Sequence, residues 1–188
     1  MPAQVKTIPS GRPRLTALSL PVKVALVALG VGVLAAAAHI AIPFWPVPMT
    51  MGSGTVLLLG AVYGSGLAEA TLLAYLAAGA LGIPVFASGA GLAYFAGPTG
   101  GYLLGYLLAA SFMGFCASRG WMRGIPGTVA AFLVGVVLIY VPGVAWLGVL
   151  LGMQKAVAFG LEPFLPAEAT KLAMAILLFR AGSVIRTR

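Results

Sequence analysis

Between Lys23 and Arg119 the chain carries one formal charge, that of Glu69. No water-soluble fold can be built from such a stretch, because charged side chains are what keep a folded surface in water. Soluble domains place roughly 25 % of their residues in Asp, Glu, Lys and Arg; here the share is 7 %, against 61 % hydrophobic residues. The expected product is an integral membrane protein whose apolar surface is covered by lipid.

The net charge of +8 arises from 11 Lys and Arg against 3 Asp and Glu. In a soluble protein that balance would point to nucleic acid. Here the basic residues flank apolar runs, where they set orientation in the membrane, and no nucleic-acid partner is expected. Cys116 is the single cysteine and His39 the single histidine, which excludes an intrachain disulfide and a Cys-rich metal site. No metal and no cofactor chemistry is expected. Residues 1–21 hold Lys6, Arg12, Arg14 and four prolines without the apolar core of a secretory leader, so residues 1–22 are expected to form a cytoplasmic tail.

Residues 24–42 form the first apolar run, of about 19 residues, close to what a ~30 Å hydrocarbon core requires. A proline-rich turn follows at 43–48, then apolar sequence over 55–83, broken by Gly64-Ser65-Gly66. Further spans are expected over 101–118, over 127–151 with a kink at Pro142-Gly143, and over 167–185. Charge decides whether 55–83 makes one helix or two. With six spans and the N-terminus inside, Lys6, Arg12, Arg14, Lys23, Arg119, Arg123, Arg180, Arg186 and Arg188 are cytoplasmic, nine of the eleven basic residues. Five spans would put Arg119, Arg123 and the basic C-terminus outside, against the positive-inside rule. The expected fold is therefore an all-α, six-helix transmembrane bundle over 23–185, with both termini cytoplasmic. Its second helix is short, about 52–63, and Glu69 falls in the first turn of the third, where a carboxylate complements the helix dipole.

This topology puts loops 43–52, 84–100 and 152–166 on the outside. They are nearly uncharged and rich in proline, glycine and aromatics. Connections in water are normally polar, so these are expected to pack as a lid over a cavity, with Trp45, Phe86, Tyr94, Phe95, Tyr102 and Trp146 available to line it. An interfacial aromatic belt is the alternative for some of them.

The sharpest polar signal is Glu168 and Lys171, at i and i+3 behind Pro166, at the outer end of a span otherwise apolar as far as Arg180. A charge deep in a span costs about 2.5–3.5 kcal/mol on insertion scales, so a plain intrahelical salt bridge is the weaker explanation. A carboxylate beside an ammonium suits one small amphipathic ligand with both donors and acceptors. No phosphate-binding loop and no chain of buried acids occurs, so energy for active transport has to come from a partner. Ala28, Gly32 and Ala36 repeat at small-xxx-small spacing on the first helix, which serves a partner interface or packing within the bundle. A Ser–His protease reading fails: Ser53-Gly54 and Ser88-Gly89 lack the leading glycine of that signature, and His39 precedes both serines. No enzyme is expected.

Gly97-Pro-Thr-Gly-Gly-Tyr102-Leu closely resembles the signature of the substrate-binding components of biotin transporters, the BioY family. Pro46-Val-Pro-Met-Thr50-Met, Gly82-Ile-Pro-Val-Phe86-Ala and Pro163-Phe-Leu-Pro166, followed by an acid and Lys171, match in the expected order. The resemblance runs from about Lys23 to Ile185. It implies a multi-pass protein of the prokaryotic cytoplasmic membrane that captures biotin as the specificity subunit of an energy-coupling-factor transporter, beside a transmembrane coupling subunit and two ATPase subunits. The alternatives are another small vitamin, or biotin transport without the ATPase module.

By the same resemblance Lys171 matches the family's ligand-contacting lysine, a donor to a ligand oxygen. Glu168 stands where an Asp is common; its carboxylate, displaced by about 1.5 Å for the extra methylene, accepts a hydrogen bond from a ureido N–H of the ligand. Tyr102, Tyr94 and Phe86 are expected against the fused ring or valerate chain, and Thr50 and Ser88 as hydroxyl contacts. Ala28, Gly32 and Ala36 would face the coupling subunit. The glycines of 97–101 are read as architecture that allows close packing where the fourth span begins.

Overall fold

The apolar runs become helices whose ends fall at prolines, glycines and basic residues. The computed structural model describes residues 18–185, so Lys6, Arg12, Arg14, Arg186, Arg188 and most of the expected tail lie outside the described residues. The helices are α1 Leu20–His39, α2 Gly52–Tyr63, α3 Ser65–Ala80, α4 Ala93–Ala96, α5 Gly100–Arg119, α6 Ile125–Leu151, α7 Met153–Gly160 and α8 Leu165–Ile185. A two-residue antiparallel ribbon pairs β1 Ala41–Ile42 with β2 Met49–Thr50. Pro21 and Pro126 sit in the first turns of α1 and α6, where the missing N–H removes no intrahelical bond. Gly120 ends α5 in the left-handed conformation, φ +74°.

α1, α5 and α6 are each long and apolar enough to cross a membrane. α8 has the length, 21 residues, but carries Glu168, Lys171 and Arg180. Twelve-residue α2 rises only about 18 Å. It turns straight into α3 at Gly64, whose φ of +76° and ψ of 178° lie in a region essentially reserved for glycine. That turn seats against α5: a Cβ at Gly114 would overlap the Ser65 and Gly64 backbone. The α2–α3 hairpin thus stops about 7 Å short of the Arg119 end of α5, five residues along. Tyr63 closes the gap to α1 by donating to the Leu26 carbonyl at 3.0 Å.

The six longer helices fall where the charge argument placed them, and two details differ from expectation. Glu69 stands in the second turn of α3, not the first, since the helix already begins at Ser65. The connection 152–166 is largely helical, made of α7 and a 3-10 turn Glu162–Phe164, and 84–100 contains α4. Pro142 lies inside α6, which continues to Leu151.

α5 and α6 pack closely along their length. Cβ atoms at Gly101 and Gly105 would overlap the Pro142 and Ile139 carbonyl oxygens, so the glycine motif does allow the backbones to touch. The core is apolar, with Leu57, Leu72, Met113, Phe132, Ile139 and Leu147 fully buried. Leu29, Leu104, Val137 and Leu177 face outwards from mid-helix, as lipid-covered positions do. One end of the bundle gathers the three apolar connections. The other carries Lys23, Arg119, Arg123 and Arg180, where Arg180 donates to the Arg123 carbonyl at 2.8 Å.

Candidate functional site

Aromatic contacts join the first connection to the third, and aromatic side chains of α6 and α3 tie down the second. Phe44 meets Phe164 edge-on at 5.9 Å, and Trp45 meets Phe159 at 6.4 Å. Trp146 donates from Nε1 to the Gly97 carbonyl at 2.9 Å, and Tyr75 donates from α3 to the Val85 carbonyl at 3.1 Å. Polar backbone in these apolar segments therefore finds partners inside the protein.

Below them lies a narrow, partly open cleft of about 60 Å³. Two aromatic groups flank it. On one side Phe86, 2 % exposed, stacks on Tyr94 at 4.7 Å and 22° and takes the edges of Tyr75 and Phe95. On the other, Tyr102 and Tyr140 meet edge-on at 5.7 Å, and Tyr102 donates to the Gly160 carbonyl at 2.7 Å. Tyr106, Val47, Thr50, Ser53, Ile139 and Phe164 complete much of the wall with Lys171.

Lys171 lies in that wall, and Glu168 stands directly behind it. Glu168 is 4 % exposed and Lys171 8 %, with Lys171 Nζ 2.6 Å from Glu168 Oε2. Both stand in the first turns of α8, whose N-terminal dipole favours the carboxylate. Lys171 also donates to Ser53 Oγ at 2.8 Å and to the Thr50 carbonyl at 3.1 Å. An ammonium has three N–H groups, and each therefore has an acceptor. Glu168 Oε2 accepts in addition from Ser53 Oγ at 3.1 Å and from Tyr140 Oη at 3.0 Å. Oε1 of the same carboxylate is buried and has no partner among the described residues.

Of the residues singled out from the sequence, Thr50, Phe86, Tyr94, Tyr102 and Lys171 line this one cleft, and Glu168 is tied to it through Lys171, Ser53 and Tyr140. Ser88 is exposed and outside the lining, its Oγ 3.4 Å from the Tyr94 hydroxyl. Trp45 is 71 % exposed, as a belt residue is, and Trp146 braces the glycine motif. His39 is an exposed residue at the end of α1, its Nδ1 donating to the Ala35 carbonyl at 2.8 Å. Ala28, Gly32 and Ala36 are exposed, and nothing lies within 4 Å of a Cβ at Gly32. α1 packs inwards through Gly30, Leu34, Ala37 and Ala38 instead.

Sequence reasoning missed Ser53, Tyr75, Tyr106 and Tyr140. Tyr140 had a signal, as a hydroxyl in the middle of the otherwise apolar run 129–151. Ser53, flanked by Gly52 and Gly54, had only its small neighbours.

Comparison with known proteins adds three findings. The model of the BioY family matches residues 12–187. A probable biotin transporter BioY of Pyrococcus horikoshii is 37 % identical over 157 residues, which cover 83 % of this chain and 93 % of that protein. The biotin transporter BioY of Thermotoga maritima is 35 % identical over 143 residues, 75 % and 83 % of the two chains. Among solved structures, the S-component for biotin from an ECF-type ABC transporter superposes with a TM-score of 0.72 at 22 % identity, over 92 % of this chain and 96 % of that one. The shared fold is an all-helical membrane protein.

Proposed function

Because the chain belongs to the BioY family, we propose that it binds biotin in this cleft and carries it across the prokaryotic cytoplasmic membrane as the substrate-specificity subunit of an energy-coupling-factor transporter. It is a transport protein and not an enzyme. The observation that carries the reading is the buried Glu168–Lys171 pair, whose lysine lines the cleft of an otherwise apolar bundle. Burying two charges costs several kcal/mol each, which their mutual attraction repays only with good geometry. A ligand that uses them gives the cost a purpose.

Biotin suits the chemistry. Its ureido ring presents N–H donors and a carbonyl acceptor, and its thioether ring and valerate chain are apolar. Glu168 Oε1 is the acceptor left for a ureido N–H. Lys171 turns an N–H towards a ligand oxygen by exchanging its longest bond, that to the Thr50 carbonyl. Phe86, Tyr94 and Tyr102 cover the ring system and chain, and Thr50 and Ser88 offer hydroxyls near the mouth.

A transmembrane coupling subunit and two ATPase subunits supply the driving energy in this reading. The exposed Ala28, Gly32 and Ala36 face of α1 suits close helix contact with the coupling subunit. Residues 1–22 form the cytoplasmic tail ahead of the membrane domain 23–185, and both termini are cytoplasmic, at the end that gathers Lys23, Arg119, Arg123 and Arg180.

Thermal unfolding of the purified protein against a panel of vitamins tests the ligand, because only a molecule that binds the native state raises its stability. Biotin is expected to raise the midpoint and riboflavin, thiamine and folate to leave it unchanged. A shift with another vitamin and none with biotin would overturn the assignment.

A further inference from the structure

We infer that Ser53 and Tyr140 are positioning residues, whose hydroxyls fix the Glu168 carboxylate and thereby set how it meets a ligand. The inference deepens the biotin-binding reading and rests on it. Three donors, from three side chains on three helices, converge on one oxygen. Ser53 reaches Oε2 from α2, Tyr140 from α6, and Lys171 from α8 itself. Ser53 does more, since it accepts from Lys171 Nζ at 2.8 Å while donating to Oε2. It therefore bridges both poles of the ion pair and closes a ring of three polar atoms.

The consequence lies in the other oxygen. A carboxylate has about four acceptor sites, and here every donor found among the described residues goes to Oε2. Oε1 is left buried without a donor, a condition that costs free energy until one arrives. Without the two hydroxyls, the carboxylate would be free to swing about its last side-chain bond and offer both oxygens to Lys171. With them, its orientation is fixed by elements that do not belong to α8. Ser53 is held in turn by its place in the first turn of α2, between Gly52 and Gly54, where α8 approaches closely. Tyr140 is held by its edge contacts with Tyr102 and Phe164.

The test is a biotin titration of the purified full chain as wild type, Ser53→Ala, Tyr140→Phe, the double variant and Ser53→Thr, with the unfolding midpoint of each measured without ligand. Each single variant is expected to bind about ten- to 150-fold more weakly, as loss of a hydrogen bond to a charged group does. The double variant should fall well short of the product of the two losses, because both act through one carboxylate. Ser53→Thr, which keeps the hydroxyl, should recover most of the affinity. Tyr140→Phe keeps the ring and its shape, so it decides the matter if a Ser53 variant does not fold. Wild-type binding with Tyr140→Phe within about twofold of it overturns this inference alone, as does a double variant whose loss equals the product. Absence of biotin binding by the wild type overturns the biotin reading, and the inference with it.

Discussion

Lys171 and Glu168 stand one turn apart on α8 with Nζ 2.6 Å from Oε2, and neither is more than 8 % exposed. Removing one partner from such a pair strands the other charge, at a cost of about 3–5 kcal/mol, whereas replacing both with apolar or neutral groups is often close to neutral. Lys171→Met should therefore lower the unfolding midpoint more than the double variant Glu168→Gln, Lys171→Met. Both should lose biotin binding. Differential scanning fluorimetry in detergent reads the first comparison, and a double variant no more stable than the single one would contradict it.

The aromatic wall depends on a missing side chain. A Cβ at Gly79 would overlap the Phe86 ring, which stacks on Tyr94 at 4.7 Å. Gly79→Ala is expected to push Phe86 off that stack, lower stability by about 1–3 kcal/mol as overpacking does, and weaken biotin binding. Gly182→Ala, at a helical site with nothing within 4 Å, is the control and should leave both unchanged or raise stability slightly.

Much of this was legible in the sequence, for reasons that differ by element. Spans declare themselves because lipid tolerates so few charges, and Arg119 and Arg123 mark the gap between α5 and α6. The break between α2 and α3 was visible as Gly64-Ser65-Gly66, because a loop-free reversal needs a backbone only glycine adopts. α7 and the 3-10 turn were not, since eight residues and three hold too few turns for a periodic pattern to stand out from a loop. Glu168 and Lys171 stood out as charges in an apolar run. Ser53 did not, because its partner lies 115 positions away and a lone hydroxyl between glycines carries no mark of what faces it.

The α2–α3 reversal supports a prediction of its own. Gly64 has φ +76° and ψ 178°, and a Cβ there meets nothing within 4 Å, so any loss on substitution is conformational rather than steric. Gly64→Ala should cost about 1–3 kcal/mol, read as a lower unfolding midpoint. An unchanged midpoint would mean that the turn relaxes freely.

The outward face of α1 separates capture from coupling. Gly32→Leu is expected to leave biotin affinity and the unfolding midpoint of the isolated chain within error, since a Cβ at Gly32 meets nothing within 4 Å among the described residues. Biotin uptake by cells that depend on this chain and its energising subunits should fall at least tenfold. Uptake at the wild-type level would remove this face from the coupling interface.

The central claim is that the buried acid–base pair exists for a ligand. Calorimetric titration of biotin into the purified chain, wild type beside Lys171→Ala, tests it most directly. The wild type should saturate at one biotin per chain, and the variant should bind at least about thirtyfold more weakly, the equivalent of losing 2 kcal/mol or more from a buried charged contact. Equal affinity in the two proteins, with both folded, would contradict it.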